Sequence, residues 1–208
     1  MRAALITIFS VLLVDQLVKI YIKTHFYLGE SYEVFSWFHI HFIENRGMAF
    51  GTELGGSGST WGKLALSVFR LLAIIGIAWY LRKLIRQKAQ TLLIVCIGLI
   101  FAGAFGNMID SMFYGLLFSE SYELQIAEFL PKEGGYAPFL FGNVVDMVSF
   151  SFFPPIFNIA DSSISIGVAI LVLKQKSFFG KKKDTPAINE NTNIPPTDAS
   201  QSTGDIVS

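Results

Sequence analysis

The stretch Asn143-Val-Val-Asp-Met-Val-Ser-Phe-Ser-Phe-Phe-Pro-Pro-Ile-Phe-Asn-Ile-Ala-Asp161 decides the fold of this chain. It places two carboxylates, Asp146 and Asp161, on either side of an apolar break at the mouth of a membrane segment. On one unbroken helix, at about 1.5 Å per residue, they would stand roughly 22 Å apart and could not cooperate. Pro154-Pro155 prevents that helix, because proline lacks a backbone donor and disfavours helix in the residue before it. The chain can therefore turn back and bring Asp146 beside Asp161 at the start of a new helix.

Outward from that stretch, the composition is that of a membrane protein. The 208 residues are 52% hydrophobic, 14% aromatic and only 15% charged, well beyond a soluble domain of this size. A formal net charge of zero argues against nucleic acid as a partner. Four segments have the length and apolarity to cross a hydrocarbon layer of about 30 Å: about 3–22, 64–81, 91–112 and 155–173. The first resembles a signal peptide in outline, but Asp15 and Lys19 interrupt it and apolar residues continue past them without a small-residue cleavage site, so it reads as an uncleaved span. Basic clusters at Arg82–Lys88 and Lys174–Lys183 place the second connection and both termini in the cytoplasm by the positive-inside rule. The connections 23–63 and 113–154 then lie on the outer face.

Tyr32 to Glu44 alternates aromatic and β-branched residues with polar ones, which predicts a small outer-face β-sheet. Gly51 to Thr60 reads as a mobile loop, and Ser121 to Leu130 as a short amphipathic helix. The fold class expected is a mainly α membrane protein, with four transmembrane helices, this sheet as a cradle and that short helix in the second outer loop. Residues 1–176 form the membrane unit. Residues 177–208 are a cytoplasmic tail, polar and without apolar period from about Asp184, and predicted to be disordered.

Several polar residues fall inside the spans, where they are costly. Asp15 and Lys19 are four apart on one helix face and can pair, although Lys19 and Lys23 could equally snorkel to the interface. Gly98, Ala102 and Gly106 form a close-packing face, followed by Asn107 and Asp110. Arg70, about a third of the way into the second span, must face protein or water. Asp146 and Asp161 are the candidate catalytic pair: two neighbouring carboxylates cannot both ionise easily, so one keeps a proton and they serve as acid and base. The bland reading of Asn158 and Asp161 is a helix cap. His39 and His41 share a strand face that suits a metal in principle, but they lack an H-E-x-x-H pattern and fit a solvated face better. Cys96 reads as a buried structural thiol. An ion or solute transporter remains an alternative, weakened by the lack of an inverted repeat.

Read in order, Asp15-Gln-Leu-Val-Lys19, Glu44-Asn45-Arg-Gly47-Met-Ala49-Phe50, Gly103-Ala-Phe-Gly106-Asn107-Met-Ile-Asp110, Val144-Val-Asp146 and Phe157-Asn158-Ile-Ala-Asp161 resemble the lipoprotein signal peptidases. These are the type II signal peptidase family of bacterial membrane aspartic peptidases, and the resemblance covers about residues 3–175. It implies an aspartic endopeptidase with catalytic Asp146 and Asp161, and with Asp15, Lys19, Asn45, Gly47, Asn107, Asp110 and Asn158 around the pocket. It also implies a multi-pass protein of the bacterial cytoplasmic (inner) membrane, working as a monomer in contact with membrane lipid, with its site near the outer face. The implied substrates are diacylglyceryl-modified prolipoproteins, cut just before the lipidated cysteine, without metal or other cofactor, and the implied inhibitors are globomycin and its kind. A non-catalytic scaffold for lipoprotein maturation is the further alternative. The chain departs from the family pattern twice. Ser111 stands where an arginine is expected, which suggests that Arg70 supplies the charge, and Leu116 to Phe141 is an insertion that suggests an enlarged lid governing substrate access and inhibitor affinity.

Overall fold

The computed structural model describes residues 1–45 and 60–179. Gly47, the expected loop Gly51 to Thr60 apart from its last residue, and the tail from residue 180 lie outside the described residues. Helix α1 (Arg2–His25) leads into strands β1 (Ser31–Phe35) and β2 (Phe38–Asn45). Helices α2 (Thr60–Arg86) and α3 (Thr91–Ile109) follow. Helix α3 continues through a π-helical turn (Asp110–Tyr114) into the short α4 (Gly115–Leu117). Strands β3 (Val144–Phe150) and β4 (Phe153–Phe157) then precede α5 (Ile159–Leu173) and α6 (Gln175–Phe179). The strands form one antiparallel sheet in the order β1-β2-β3-β4.

Arg2–His25, Trp61–Arg86 and Thr91–Leu117 are long and apolar enough to cross a membrane. The expected fourth span over 155–173 is shorter: α5 starts only at Ile159 and runs 15 residues. The reason is the double proline. It does not make the turn, which falls at Ser151-Phe152. It lies in the returning edge strand β4, where missing N–H groups are tolerated. Asp161 of α5 meets Asn107 of α3, ten residues before α4 ends, so α5 begins roughly 15 Å short of the sheet end of the bundle. The site is thereby sunk among the helices.

Helix α3 is the centre, packing on α1, α2 and α5. Its Gly98–Ala102–Gly106 face meets α1: Gly98 lies against Thr7 and Ala4, and Gly106 makes room for the Asp15 carboxylate, 2.9 Å from where a Cβ would stand. A second seam faces α5, where a Cβ on Gly103 would lie 2.2 Å from the carbonyl oxygen of Ala160. The sheet-end core joins Ile22, Phe42, Tyr114, Phe118, Val145 and Met147. Cys96 is fully buried.

The amphipathic helix expected over Ser121 to Leu130 does not form. Leu124 is left 94% exposed while Ala127 is 4% exposed. The segment instead makes a tight turn with reciprocal main-chain bonds between Tyr122 and Gln125. The surrounding loop donates N–H groups to the carbonyls of Ser111, Gly115, Leu117 and Phe118, which the end of a helix leaves without partners.

Replacing Gly103 by alanine forces α3 and α5 apart at a backbone contact. It is expected to destabilise the protein by about 1–3 kcal/mol, the usual cost of overpacking, read as a lower thermal midpoint in detergent.

Candidate active site

The polar centre starts at Lys19, which is fully buried. Its ammonium lies 3.0 Å from Asp15 Oδ2 and 2.8 Å from Asp110 Oδ2, and donates to Asn107 Oδ1 at 2.8 Å. The pairing reading of Asp15 and Lys19 therefore holds over snorkelling. Lys23 is buried as well, paired with Glu44. Asp15 Oδ1 also accepts the backbone N–H of Ala160 at 2.8 Å, capping the first turn of α5 from another helix. Gln16 donates to Asp110 Oδ1 at 2.9 Å and accepts from the Tyr114 hydroxyl at 3.2 Å.

An ammonium has only donors, so the side of Asn107 that faces Lys19 is its oxygen and its amide nitrogen is turned away. That nitrogen donates to Asp161 Oδ1 at 2.7 Å. The same logic orients Asn158. Its Oδ1 accepts the Asp161 backbone N–H at 2.8 Å, and its Nδ2 donates to Asp146 Oδ1 at 2.6 Å and to Asn107 Oδ1 at 3.1 Å. Asn158 is thus both the N-cap of α5 and a ligand of Asp146. Asn45 Nδ2 reaches Asp146 Oδ2 at 3.3 Å.

Asp146, on β3, is 2% exposed, whereas Asp161, in the first turn of α5, is half-buried. Burial pushes the Asp146 carboxyl up from the ordinary range, and the neighbouring Asp161 charge adds to this, so that it reaches about 7 against the pull of Asn45, Asn158 and Lys19. Such a pair titrates as a unit. Arg70, half-buried on α2, lies within electrostatic reach of Asp161, Asp146 and Asp110 and forms no ion pair among the described residues.

The structure thus gathers Asp15, Lys19, Asn45, Asn107, Asp110, Asn158, Asp146 and Asp161 into one network, with Arg70 facing it. Ser111 turns its hydroxyl back to the Asn107 carbonyl at 3.2 Å. Among the described residues no three His, Cys, Asp or Glu side chains form a set that could hold a metal. Sequence reasoning missed Gln16, although a glutamine between Asp15 and Lys19 in an apolar span was a signal. It also missed the partners of Glu44, namely Ser121 at 2.6 Å and Asn143 at 2.8 Å, which no local pattern marked.

Comparison with known proteins fits this layout. Residues 7–177 match the family model for signal peptidase (SPase) II. A lipoprotein signal peptidase of Porphyromonas gingivalis is 45% identical over 191 residues, covering 82% of this chain and 80% of the relative. One of Syntrophus aciditrophicus is 34% identical over 170 residues, covering 81% and 89%. A bacterial membrane enzyme solved by the in meso method at 2.3 Å superposes with a TM-score of 0.59 at 29% identity, over 88% of this chain and 93% of that one. The class these features define is a multi-pass membrane peptidase with a polar site sunk in its helical bundle. Within that class, the chain belongs to the signal peptidase II family, the lipoprotein signal peptidases.

Replacing Lys19 by methionine leaves Asp15 and Asp110 buried without a cation. The expected cost is about 3–5 kcal/mol, as for other broken buried pairs, and denaturation in detergent micelles measures it.

Proposed function

We propose that this protein removes the signal peptide from diacylglyceryl-modified prolipoproteins by aspartic catalysis, with Asp146 and Asp161 as the reacting pair. The observation that carries the reading is the convergence of two carboxylates, one from a strand and one from a helix, on a bonded pair of asparagines, Asn158 donating to Asp146 and Asn107 to Asp161, with one of the two carboxyls pushed up to about 7. Membership in a peptidase family favours neither a transporter nor a scaffold.

One carboxyl of the pair holds a proton and the other is ionised. The ionised one takes a proton from water as its oxygen attacks the scissile carbonyl carbon, and the protonated one gives its proton to the carbonyl oxygen. The tetrahedral intermediate then collapses as the C–N bond breaks, and the proton taken from water passes to the leaving nitrogen. Asn107 and Asn158 hold one oxygen of each carboxylate by donation, and Lys19 keeps Asn107 in its orientation. Arg70 brings a positive charge toward the pair from the side of α2.

The substrate's lipid keeps it in the bilayer, so it reaches the sunken pair laterally between helices. The site opens toward the outer face of a bacterial cytoplasmic membrane, with both termini inside, on the charge asymmetry of Arg82–Lys88 and Lys174–Lys183. Globomycin-type molecules would occupy the same cleft, and the protein works as a monomer.

The deciding test is cleavage of a diacylglyceryl-modified prolipoprotein by purified protein in detergent with chelator present, followed by gel shift. The wild type is expected to cleave and the folded Asp146→Asn and Asp161→Asn variants to be inactive; cleavage by either variant would sink the dyad.

The pH dependence has a definite sign. Asp146 is protonated below about 7 and ionised above it, so kcat/KM is expected to fall as pH rises through and beyond that value, while the proton shared by the pair is lost. The raised value also favours the folded state at low pH, and that contribution fades as pH rises toward about 7.

Arg70→Ala is expected to lower cleavage about 10-fold or more, less than the roughly 100- to 1000-fold for removing a direct donor at a reacting centre, because its charge acts on the pair at a distance. Unchanged rates with Arg70→Ala, alongside impaired Asn107→Ala, would remove Arg70 from the site.

A further inference from the structure

Away from the reacting pair, a second buried charge cluster sits where α1, the sheet and the second outer loop meet. Lys23 is fully buried and the Glu44 side chain is 6% exposed. The Lys23 ammonium pairs with Glu44 Oε1, donates to Ser121 Oγ at 2.9 Å, and lies over the rings of Tyr136 and Phe118 at 5.1 and 5.5 Å. The other oxygen of Glu44 accepts from Asn143 Nδ2 at 2.8 Å. Asn143 is held in turn by Lys63 of α2 at 2.8 Å, and its N–H donates to the Tyr136 hydroxyl. Burial works to raise the Glu44 carboxyl, but Lys23 and the bonds from Ser121 and Asn143 outweigh it and keep Glu44 below the usual carboxylate range.

Burying such a pair seldom adds net stability, and its best-attested use is to specify one arrangement over another. The β2–β3 pairing offers two arrangements to choose between. At the sheet tip Phe38, His39 and Ile40 oppose Phe150, Ser149 and Val148, but next to the site Ile43, Glu44 and Asn45 oppose Asp146, Val145 and Val144, a register offset by one residue. Opposed residues share a face and faces alternate along each strand, so a one-residue slip exchanges the faces. In the observed register Asn45 shares the face of Asp146, and Glu44 shares the other face with Asn143. Continuing the tip register to the site would turn Asn45 away from Asp146 and aim Glu44, a third carboxylate, at the pair.

We infer that Glu44, held by Lys23 and clamped to Asn143, is a positioning residue that locks the offset register and so places Asn45 and Asp146 for the reaction. Glu44 touches neither the reacting atoms nor Asp161; it acts through the strand pair. The inference rests on the peptidase reading above.

The test uses full-length enzyme in detergent with the diacylglyceryl-modified prolipoprotein and compares Glu44→Gln and Asn143→Ala with wild type. Both are expected to lower kcat per folded enzyme about 10-fold or more while KM changes by less than about 3-fold, since small misplacements of a reacting group are costly and the lipid contacts stay. The alkaline limb of the pH profile is expected to move upward as the Asn45 bond to Asp146 is lost, and amide exchange over 43–45 and 144–146 to quicken. Asn143→Ala removes the clamp without stranding a buried charge, so it decides the matter even if Glu44→Gln fails to fold. Wild-type kcat and an unmoved alkaline limb in Asn143→Ala would overturn the inference and leave Lys23–Glu44 as a structural pair. Should Asp146→Asn still cleave, the fault lies with the assignment of the reacting pair instead.

Discussion

Everything at the centre of this protein depends on an ammonium that can only donate. Lys19 sits without solvent between Asp15 and Asp110 and takes Asn107 Oδ1 as a further acceptor. That choice leaves Asn107 a single orientation, with its amide nitrogen toward Asp161. Asn158 is fixed in the same manner by a backbone N–H that can only donate. Two asparagines, each able to flip in isolation, become rigid donors to the two aspartates. The arrangement is self-consistent in a low-dielectric interior, where an unsatisfied group is expensive; among the described residues no buried side-chain nitrogen or oxygen lacks a partner.

Such polarity inside an apolar bundle needs helices that come close. The glycines of α3 provide two seams, one admitting the Asp15 carboxylate from α1 and the other the backbone of α5. The π-helical turn at Asp110–Tyr114 adds a local change of pitch where α3 presents Asp110 to Lys19 and Tyr114 to Gln16, a usual place for such turns. Backbone seams, carboxylates and asparagines are therefore parts of one packing solution.

Much of this was legible in the residues. Polar side chains in apolar spans announced themselves, because a bilayer leaves few reasons for Asp15, Lys19, Asn107 or Asp110 to be there. The alternation from Tyr32 to Glu44 announced the first hairpin. The second hairpin was hidden: Val144 to Phe157 is apolar on both faces at the site, so period two is lost, and its double proline reads as a break when it is an edge strand. The amphipathic helix failed because the loop's main-chain groups serve the end of α4, a tertiary demand that no local pattern carries. The partners of Glu44 were invisible for the same reason, since Ser121 and Asn143 lie 77 and 99 positions away.

The prolines of β4 also bear on how a peptide can be held. Peptide-binding sheets commonly recruit their ligand as one more strand, matching main-chain donors and acceptors along a free edge. Pro154 and Pro155 take two of the five N–H groups out of β4; successive N–H groups point to opposite sides of a strand, so one of them is lost from the free edge, which is a poorer template for β-augmentation. An extended peptide gains little by zipping onto that side of the sheet. The same missing N–H guards that edge against pairing with another copy of the protein.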